Sequence, residues 1–287
     1  MWSPIPKQPG DHKRLGLIIN PLAGIGGRVG LKGSDGAEIQ QKAFALGAEP
    51  QAGKRAKHAL EAIGTELREV EIITPPGEMG AEVVEELGYS PQIIGEISTG
   101  KTTAKDSFRA ARTMLESQVD LLLFAGGDGT ARDVYRGVED RLAVIGIPAG
   151  VKIHSAAFAT HPRSAGELAA LFLNKGDMRL REAEVVDLDE EAYRRGTIST
   201  RLYGYLMVPQ HRHLVQGSKA PTPTSEAAQM EAIAWDVVEG MKEDWKYVLG
   251  PGTTTRAVAE RLGFEKTLVG VDLVTKEKVI DLDVNEQ

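Results

Sequence analysis

The chain has 287 residues, 41% of them hydrophobic, with a formal net charge of −7 and no cysteine. The length allows two domains with a real core. The acidic balance, the 5% aromatic content and the lack of a long basic run argue against nucleic-acid and anionic-membrane partners, and the missing cysteine excludes disulfides and thiolate metal sites. The first residues, MWSPIPKQPGDHKR, hold no apolar leader, and no run of 18 apolar residues occurs, so a soluble cytoplasmic protein is expected.

In chain order, LGLIIN at 15–20 reads as a buried strand running into the glycine loop PLAGIGGRVGLKGSDG. Residues 37–64 read as helix with a break near Glu49-Pro50. VEIITP is a second strand, MGAEVVEELG a short helix stopped by glycine, and PQIIGEIS a third strand followed by a helix over 103–117. VDLLLFAG is the fourth strand, GTARDVYRGV opens a helix, and LAVIGIPAG is the fifth strand with its exit loop. VKIHSAAFA and SAGELAALFL read as helical. Strands that are nearly all apolar and alternate with helices predict a parallel sheet covered on both faces.

The pattern changes near residue 175. MRLREAEVVDLDEEAY and TISTRLYGYLMVP read as antiparallel strands. A turn-rich stretch at 214–228 precedes a helix over 226–241, and WKYVLGPGTTTRAVAERLG returns to strand, loop and helix before the strand KTLVGVDLV. The expected fold class is therefore α/β. A Rossmann-like parallel-sheet domain covers 1–174, and a mainly β substrate domain covers 175–287, with the second domain expected to be incomplete at its C-terminus.

Ligands of such sheets bind beyond the carboxyl ends of the strands, which is where the glycine loops fall. In GGDGT, Gly126 and Gly127 leave the strand end bare, Gly129 allows a tight turn, and Thr130 can cap a helix or donate to phosphate. A carboxylate beside phosphates needs a reason. Asp128 can ligate Mg²⁺, accept the proton of an attacking hydroxyl, or simply cap the helix. In INPLAGIGG, Asn20 ends the strand and Gly24, Gly26 and Gly27 keep the backbone open, although the G-x-G-x-x-G spacing is absent. In GIPAGVKIHSAAFA, Lys152 could meet phosphate and His154 or Ser155 a substrate hydroxyl, or His154 is an ordinary packed residue. In GPGTTTR, Thr253 and Thr254 offer donors at a helix start and Arg256 a cation, or the stretch is a threonine cap with Arg256 in a surface ion pair.

A rival exists. GEISTGKT at 95–102 satisfies G-x-x-x-x-G-K-[ST], which would send Lys101 to phosphates and Thr102 to Mg²⁺. Its context is mixed, because Gly95 lies inside an apolar run. Outside a true P-loop, Lys101 could still touch phosphate. The acidic run DLDEE lacks a calcium-loop pattern, and His211 with His213 lack a third zinc ligand.

Taken in order, INPLAGIGG, FAGGDGTARD, GIPAGVKIHSAAFA and GPGTTTR resemble the ATP-NAD kinase-like family, in its branch of ATP- or polyphosphate-dependent NAD kinases that includes AcoX-like proteins. The resemblance implies phosphoryl transfer from ATP to a hydroxyl, the 2′-OH of NAD first among them, with ATP, NAD and Mg²⁺ as cofactors and small nucleotides as partners. It implies Asp128 as the base, Gly126, Gly127 and Gly129 on the phosphate side, and Asn20 on the donor side. It also makes GEISTGKT a turn before GGDGT. The Asn-Glu/Asp pair of NAD kinases has no counterpart except Asn285-Glu286 at the very end, and only GPGTTTR stands where a Thr-Gly-Ser-Thr-Ala-Tyr segment is expected. A kinase for another small-molecule, sugar or lipid hydroxyl, a non-catalytic nucleotide-binding regulator and a P-loop NTPase stay open. Homo-oligomers are compatible with the chain, but no interface is legible.

Overall fold

A computed structural model describes residues 13–26, 29, 31, 37–150, 153–175, 178–188, 200–211, 214–215, 230, 233–235, 237–267 and 269–285. The chain divides into two compact units: residues 1–25, 49–189 and 199–219 form the first, and 26–48, 190–198 and 220–287 the second.

The first unit is built on a parallel sheet of five strands: β1 (Lys13–Ile19), β2 (Val70–Thr74), β3 (Gln92–Ile93), β4 (Leu121–Gly126) and β5 (Val144–Pro148), in the order β3-β2-β1-β4-β5. Every residue of β4 and β5 is buried, as is the whole LGLII of β1. Strands covered on both faces are apolar throughout, which is why the sequence shows runs here instead of alternation. Between the strands lie α2 (Ala52–Ile63), α3 (Ala81–Glu86), α4 (Ala104–Glu116), α5 (Asp128–Val138) and α6 (Pro162–Lys175), while α1 (Ala37–Ala45) falls in the second unit. Helix α2 packs on α6, and α4 on α5. The chain winds outward in one direction through β1, β2 and β3 and in the other through β4 and β5. The winding reverses between β1 and β4, and the crevice beyond their carboxyl ends is where this architecture receives ligands.

A long antiparallel hairpin, β6 (Leu180–Leu188) with β7 (Thr200–Pro209), follows α6 and belongs to the first unit. Its antiparallel pairing was legible from the sequence. Its placement was not, so the first unit runs past the boundary expected at residue 174. The hairpin alternates, burying Ala183, Val185, Leu206 and Val208 on one side, and it is pinned to α5. Tyr135 of α5 lies against Gly204, where a Cβ would come within 2.1 Å of the ring. Arg132 donates to Asp187 at 2.7 Å. Burial works against the Arg132 guanidinium, but Asp187, Tyr203 and Asp133 more than offset it and hold it above its ordinary range.

Two local expectations change. Residues 153–159 of the segment read as helix are irregular. Phe158 bridges to Gly146, Ala159 donates to the Gly146 carbonyl at 2.9 Å, and Phe158 stacks edge-on against Phe124 with centroids 5.2 Å apart. Pairing with β5 supplies backbone partners that a short helix would otherwise provide, and burial of Phe158 settles the competition. The third strand shortens to two residues because Gly95, at φ +67°, turns the chain.

The second unit holds an antiparallel sheet of β8 (Tyr247–Leu249), β9 (Asp272–Val274) and β10 (Val279–Asp281), in the order β10-β9-β8, with α7 (Thr253–Arg261) after β8. Its described core is Ala234, Met241, Leu249, Val258, Ala259 and Val274. Residues 230, 233–235 and 237–240 of the expected helix over 226–241 are helical, and most of the turn-rich stretch before it lies outside the described residues. A buried pair, Lys266 and Asp272 at 3.6 Å, ties the approach to β9. Burial lowers the Lys266 ammonium below its usual range against the pull of Asp272. Burial alone would raise the Asp272 carboxyl, but donors from Asp283 and Thr267, together with Lys266, leave it below the usual carboxylate range. Among the described residues no helix is long and apolar enough to cross a membrane.

Candidate active site

The loops after β1, β4 and β5 lock together at the reversal of the sheet. The Ile19–Ala125 and Gly126–Pro148 register brings the three strand ends level. Asn20 shapes the first loop: its Oδ1 accepts from the Leu22 amide at 3.1 Å, and its Nδ2 donates to Thr130 Oγ1 at 2.9 Å. Gly24, at φ +72°, presses on the third loop, where a Cβ would sit 2.0 Å from the Ala149 carbonyl oxygen. Only glycine meets both the left-handed backbone and the contact. The Gly126 carbonyl accepts from the amides of Ala149 at 2.9 Å and Gly150 at 3.1 Å. A Cβ on Gly126 would collide with Thr130 at 2.4 Å, so the glycine is what lets Thr130 fold back under the loop.

Asp128 opens α5, but it does not cap the helix. Its carboxylate crosses to the loop after β5. Oδ2 accepts from the His154 amide at 2.8 Å and Oδ1 from the Ser155 amide at 2.9 Å, while His154 Nδ1 lies 3.3 Å from Oδ2. The Asp128 side chain is 6% exposed and the His154 ring 24%, so His154 is the more exposed member of the pair. A carboxylate at a helix N-terminus is favoured by the helix dipole, and two amides bind its charge further. Ser155 is fully buried and exchanges hydrogen bonds with Val186, donating at 2.8 Å and accepting at 3.1 Å. That removes Ser155 as a group for a substrate hydroxyl.

The structure brings the glycine loops after β1, β4 and β5 together but engages several of their side chains differently from the sequence expectation. Thr130 is 2% exposed and engaged with Asn20, so it fastens the cradle from beneath instead of donating to phosphate. Gly127 faces Gly150, and Gly126, Gly127 and Gly129 lie together at the start of α5 as expected. Gly26 belongs to the second unit, where its carbonyl accepts from Leu31 at 2.9 Å. Gly27 and Lys152 lie outside the described residues. The amides of His154 and Ser155 were missed, since a backbone donor leaves no mark on residue type.

The rival motif does not build a P-loop. Helix α4 starts only at Ala104, its end closed by a capping box between Thr103 and Asp106, and the Gly100 amide donates to Glu78 at 2.8 Å. A carboxylate occupies an amide that a P-loop would offer to phosphate. Lys101 is exposed on this turn, beyond an edge strand that β2 and β1 separate from β4. In the second unit, Thr253 and Thr254 are exposed at the start of α7, Thr255 donates to the Gly250 carbonyl at 2.7 Å, and Arg256 pairs with Glu260 at 2.8 Å along the helix. The surface-pair reading of Arg256 is the one observed.

Among the described residues no group of three or more His, Cys, Asp or Glu could hold a metal. Asp128 gives both oxygens to amides, and no second acidic ligand joins it there. The described residues thus build no metal site of their own, and a divalent ion fits only as part of a nucleotide-phosphate complex that brings its own oxygens.

Residues 15–178 match the family model described as the ATP-NAD kinase N-terminal domain. No curated protein matches the chain. Similar solved structures include two from Bacillus anthracis str. Sterne described as diacylglycerol kinases. One is 15% identical with a TM-score of 0.33, covering 62% of this chain and 46% of that one. The other is 14% identical with a TM-score of 0.31, covering 64% and 45%. The chain thus spans a little under half the length of these structures.

Proposed function

From the premise that this chain belongs to the ATP-NAD kinase family, through the domain at residues 15–178, we propose that it transfers a phosphoryl group from ATP to a hydroxyl, with the 2′-hydroxyl of NAD as the first acceptor to test. The observation that carries this reading is the Asp128–His154 pair, fixed on a cradle of bare strand-end loops. Phosphates lie over the amides at the start of α5, where the helix dipole favours negative charge. The ATP arrives as its magnesium complex, as substrate.

In the tautomer that carries its proton on Nδ1, toward Asp128, the His154 ring keeps the Nε2 lone pair free to accept a proton. The acceptor hydroxyl oxygen forms a bond to the terminal phosphorus, and the bond from that phosphorus to the bridging oxygen breaks, leaving ADP. The hydroxyl proton passes to Nε2, and the resulting imidazolium is stabilised by the Asp128 carboxylate. Asp128 then orients and charges the base, and the more exposed ring receives the proton. Most of the acceleration comes from positioning and electrostatics.

The test incubates the full chain with ATP and, separately, NAD, NADH and polyols, and reads gain of one phosphoryl group by product mass. NADP formation is expected. Asp128→Asn should lower turnover on the order of 100-fold or more while nucleotide remains bound, as for loss of a positioned acid–base group. Full activity in Asp128→Asn would sink the assignment. Nucleotide binding without any product across all acceptors would replace the kinase with a nucleotide-sensing protein.

A further inference from the structure

The amides that hold Asp128 are themselves fixed by the hairpin. Strands β6 and β7 form a sheet of two, so the outer backbone edge of β6 needs partners from elsewhere. The loop after β5 supplies them. The Ala156 amide donates to the Glu184 carbonyl at 2.9 Å, and the Arg181 guanidinium donates to the Ala156 carbonyl at 2.9 Å. One residue earlier the pattern changes. The Ser155 amide is turned to Asp128 Oδ1, at 2.9 Å, and so does not serve β6. The Ser155 hydroxyl takes its place on the strand edge, donating to the Val186 carbonyl at 2.8 Å and accepting from the Val186 amide at 3.1 Å. Ser155 has no exposed surface, so this hydroxyl is shut off from bulk water.

The contact falls at a break in the ladder. Val185 pairs with Gly204 and Val186 with Leu202, so Tyr203 is an extra residue on β7. Such bulges bend a strand and re-aim the side chains it carries. Here the Arg132 guanidinium lies over the Tyr203 ring, 5.5 Å from its centroid, and donates to Asp187 at 2.7 Å. Arg132 stands about one helical turn after Asp128 on α5. Adjacent residues of β6 therefore anchor both partners of one hydrogen bond. Val186 holds Ser155, and Asp187 holds the helix that carries Asp128.

We propose that Ser155 is a positioning residue of the Asp128–His154 pair. Its hydroxyl sets the loop against β6 so that two successive amides, those of His154 and Ser155, meet the two oxygens of Asp128 and leave Oδ2 turned to His154 Nδ1. Removing the hydroxyl frees the loop from Val186, the carboxylate loses its fixed plane, and the ring loses the partner that keeps its proton on Nδ1. The proposal rests on the kinase reading only for its effect on turnover; its effect on the ring is read without substrate.

The isotopically labelled full chain is studied by long-range proton–nitrogen NMR at a pH where the histidines are neutral, with His154→Gln identifying the signals of His154. The parent is expected to carry its proton on Nδ1. Ser155→Ala and the nearly isosteric Ser155→Cys, which makes only weak hydrogen bonds, are expected to lower the ratio of Nδ1–H to Nε2–H at least about fivefold, the worth of one net hydrogen bond. Where Ser155→Ala loses its native circular dichroism, Ser155→Cys carries the test alone. Ile63→Val, a buried truncation on α2, is expected to keep the parent ratio. In the kinase reaction the Ser155 variants should lower kcat on the order of tenfold with KM little changed, because Ser155 does not touch substrate. The proposal is overturned if the parent carries its proton on Nε2, if the folded Ser155 variants hold the parent ratio, if Ile63→Val changes it as much, or if KM rises with kcat unchanged. A parent that forms no product with any acceptor strikes the kinase reading alone and leaves the ring result standing.

Discussion

At the level of single residues, the site depends on contacts that allow no substitute. Gly24 is the sharpest case. Its φ of +72° strains any side chain, and a Cβ would sit 2.0 Å from the Ala149 carbonyl. Gly24→Ala should therefore push apart the loops after β1 and β5 and cost about 1–3 kcal/mol, read as a lower denaturation midpoint. Unchanged stability would mean that the two loops are not packed as described. The sequence marked Gly24, Asn20 and Asp128 as important, but it could not say how. Asp128 reads as a cap from its place before a helix, and becomes the partner of His154 only because β5 returns beside β4. A separation of 26 positions along the chain has no local signature.

Among the elements, the parallel strands were the most legible, because burial on both faces writes itself as an unbroken apolar run. The segment 151–159 was the least legible. Its alanines suit a helix, and only pairing with Gly146 and the fit of Phe158 against Phe124 override that preference. The hairpin β6–β7 shows the same dependence on a distant partner. It docks on α5 where Tyr135 covers Gly204. Gly204→Val is expected to undock it, since a Cβ at 2.1 Å from the Tyr135 ring cannot be relieved without moving a strand or a helix. Faster amide exchange in 180–188 and 200–209, with β1 and β4 protected, is the expected result. Uniform exchange across the unit would show that the hairpin is not an independent element.

Across the whole molecule, the two units differ in the size of their described cores. The first buries a continuous set from Leu15 to Val215, whereas the described cluster around the second unit's sheet holds six buried residues, beside the Lys266–Asp272 pair. A small core gives a smaller margin, so the second unit should open first in denaturant. Two of the three tryptophans, Trp235 and Trp245, lie in it, so tryptophan fluorescence should change before circular dichroism. Asp272→Asn should advance the fluorescence change and leave the later one in place. The Asp272 carboxyl is held below its unfolded value, so its contribution is complete above the ordinary carboxylate range and is lost as pH falls through the lower folded value. The second unit should therefore weaken below about pH 4. A second unit equally stable at neutral and strongly acidic pH would remove Asp272 from its support.

The sequence by itself determined the parallel sheet, the positions of the glycine loops at its strand ends and the family to which the chain belongs. Each of these is written in short windows, as apolar runs, turn residues and motif spacing. Only the tertiary structure decided that Asp128 answers to His154 and that Thr130 and Ser155 face inward. These are contacts between segments far apart in the chain. They form because the order β3-β2-β1-β4-β5 sets β1 and β5 on either side of β4 and brings their exit loops together.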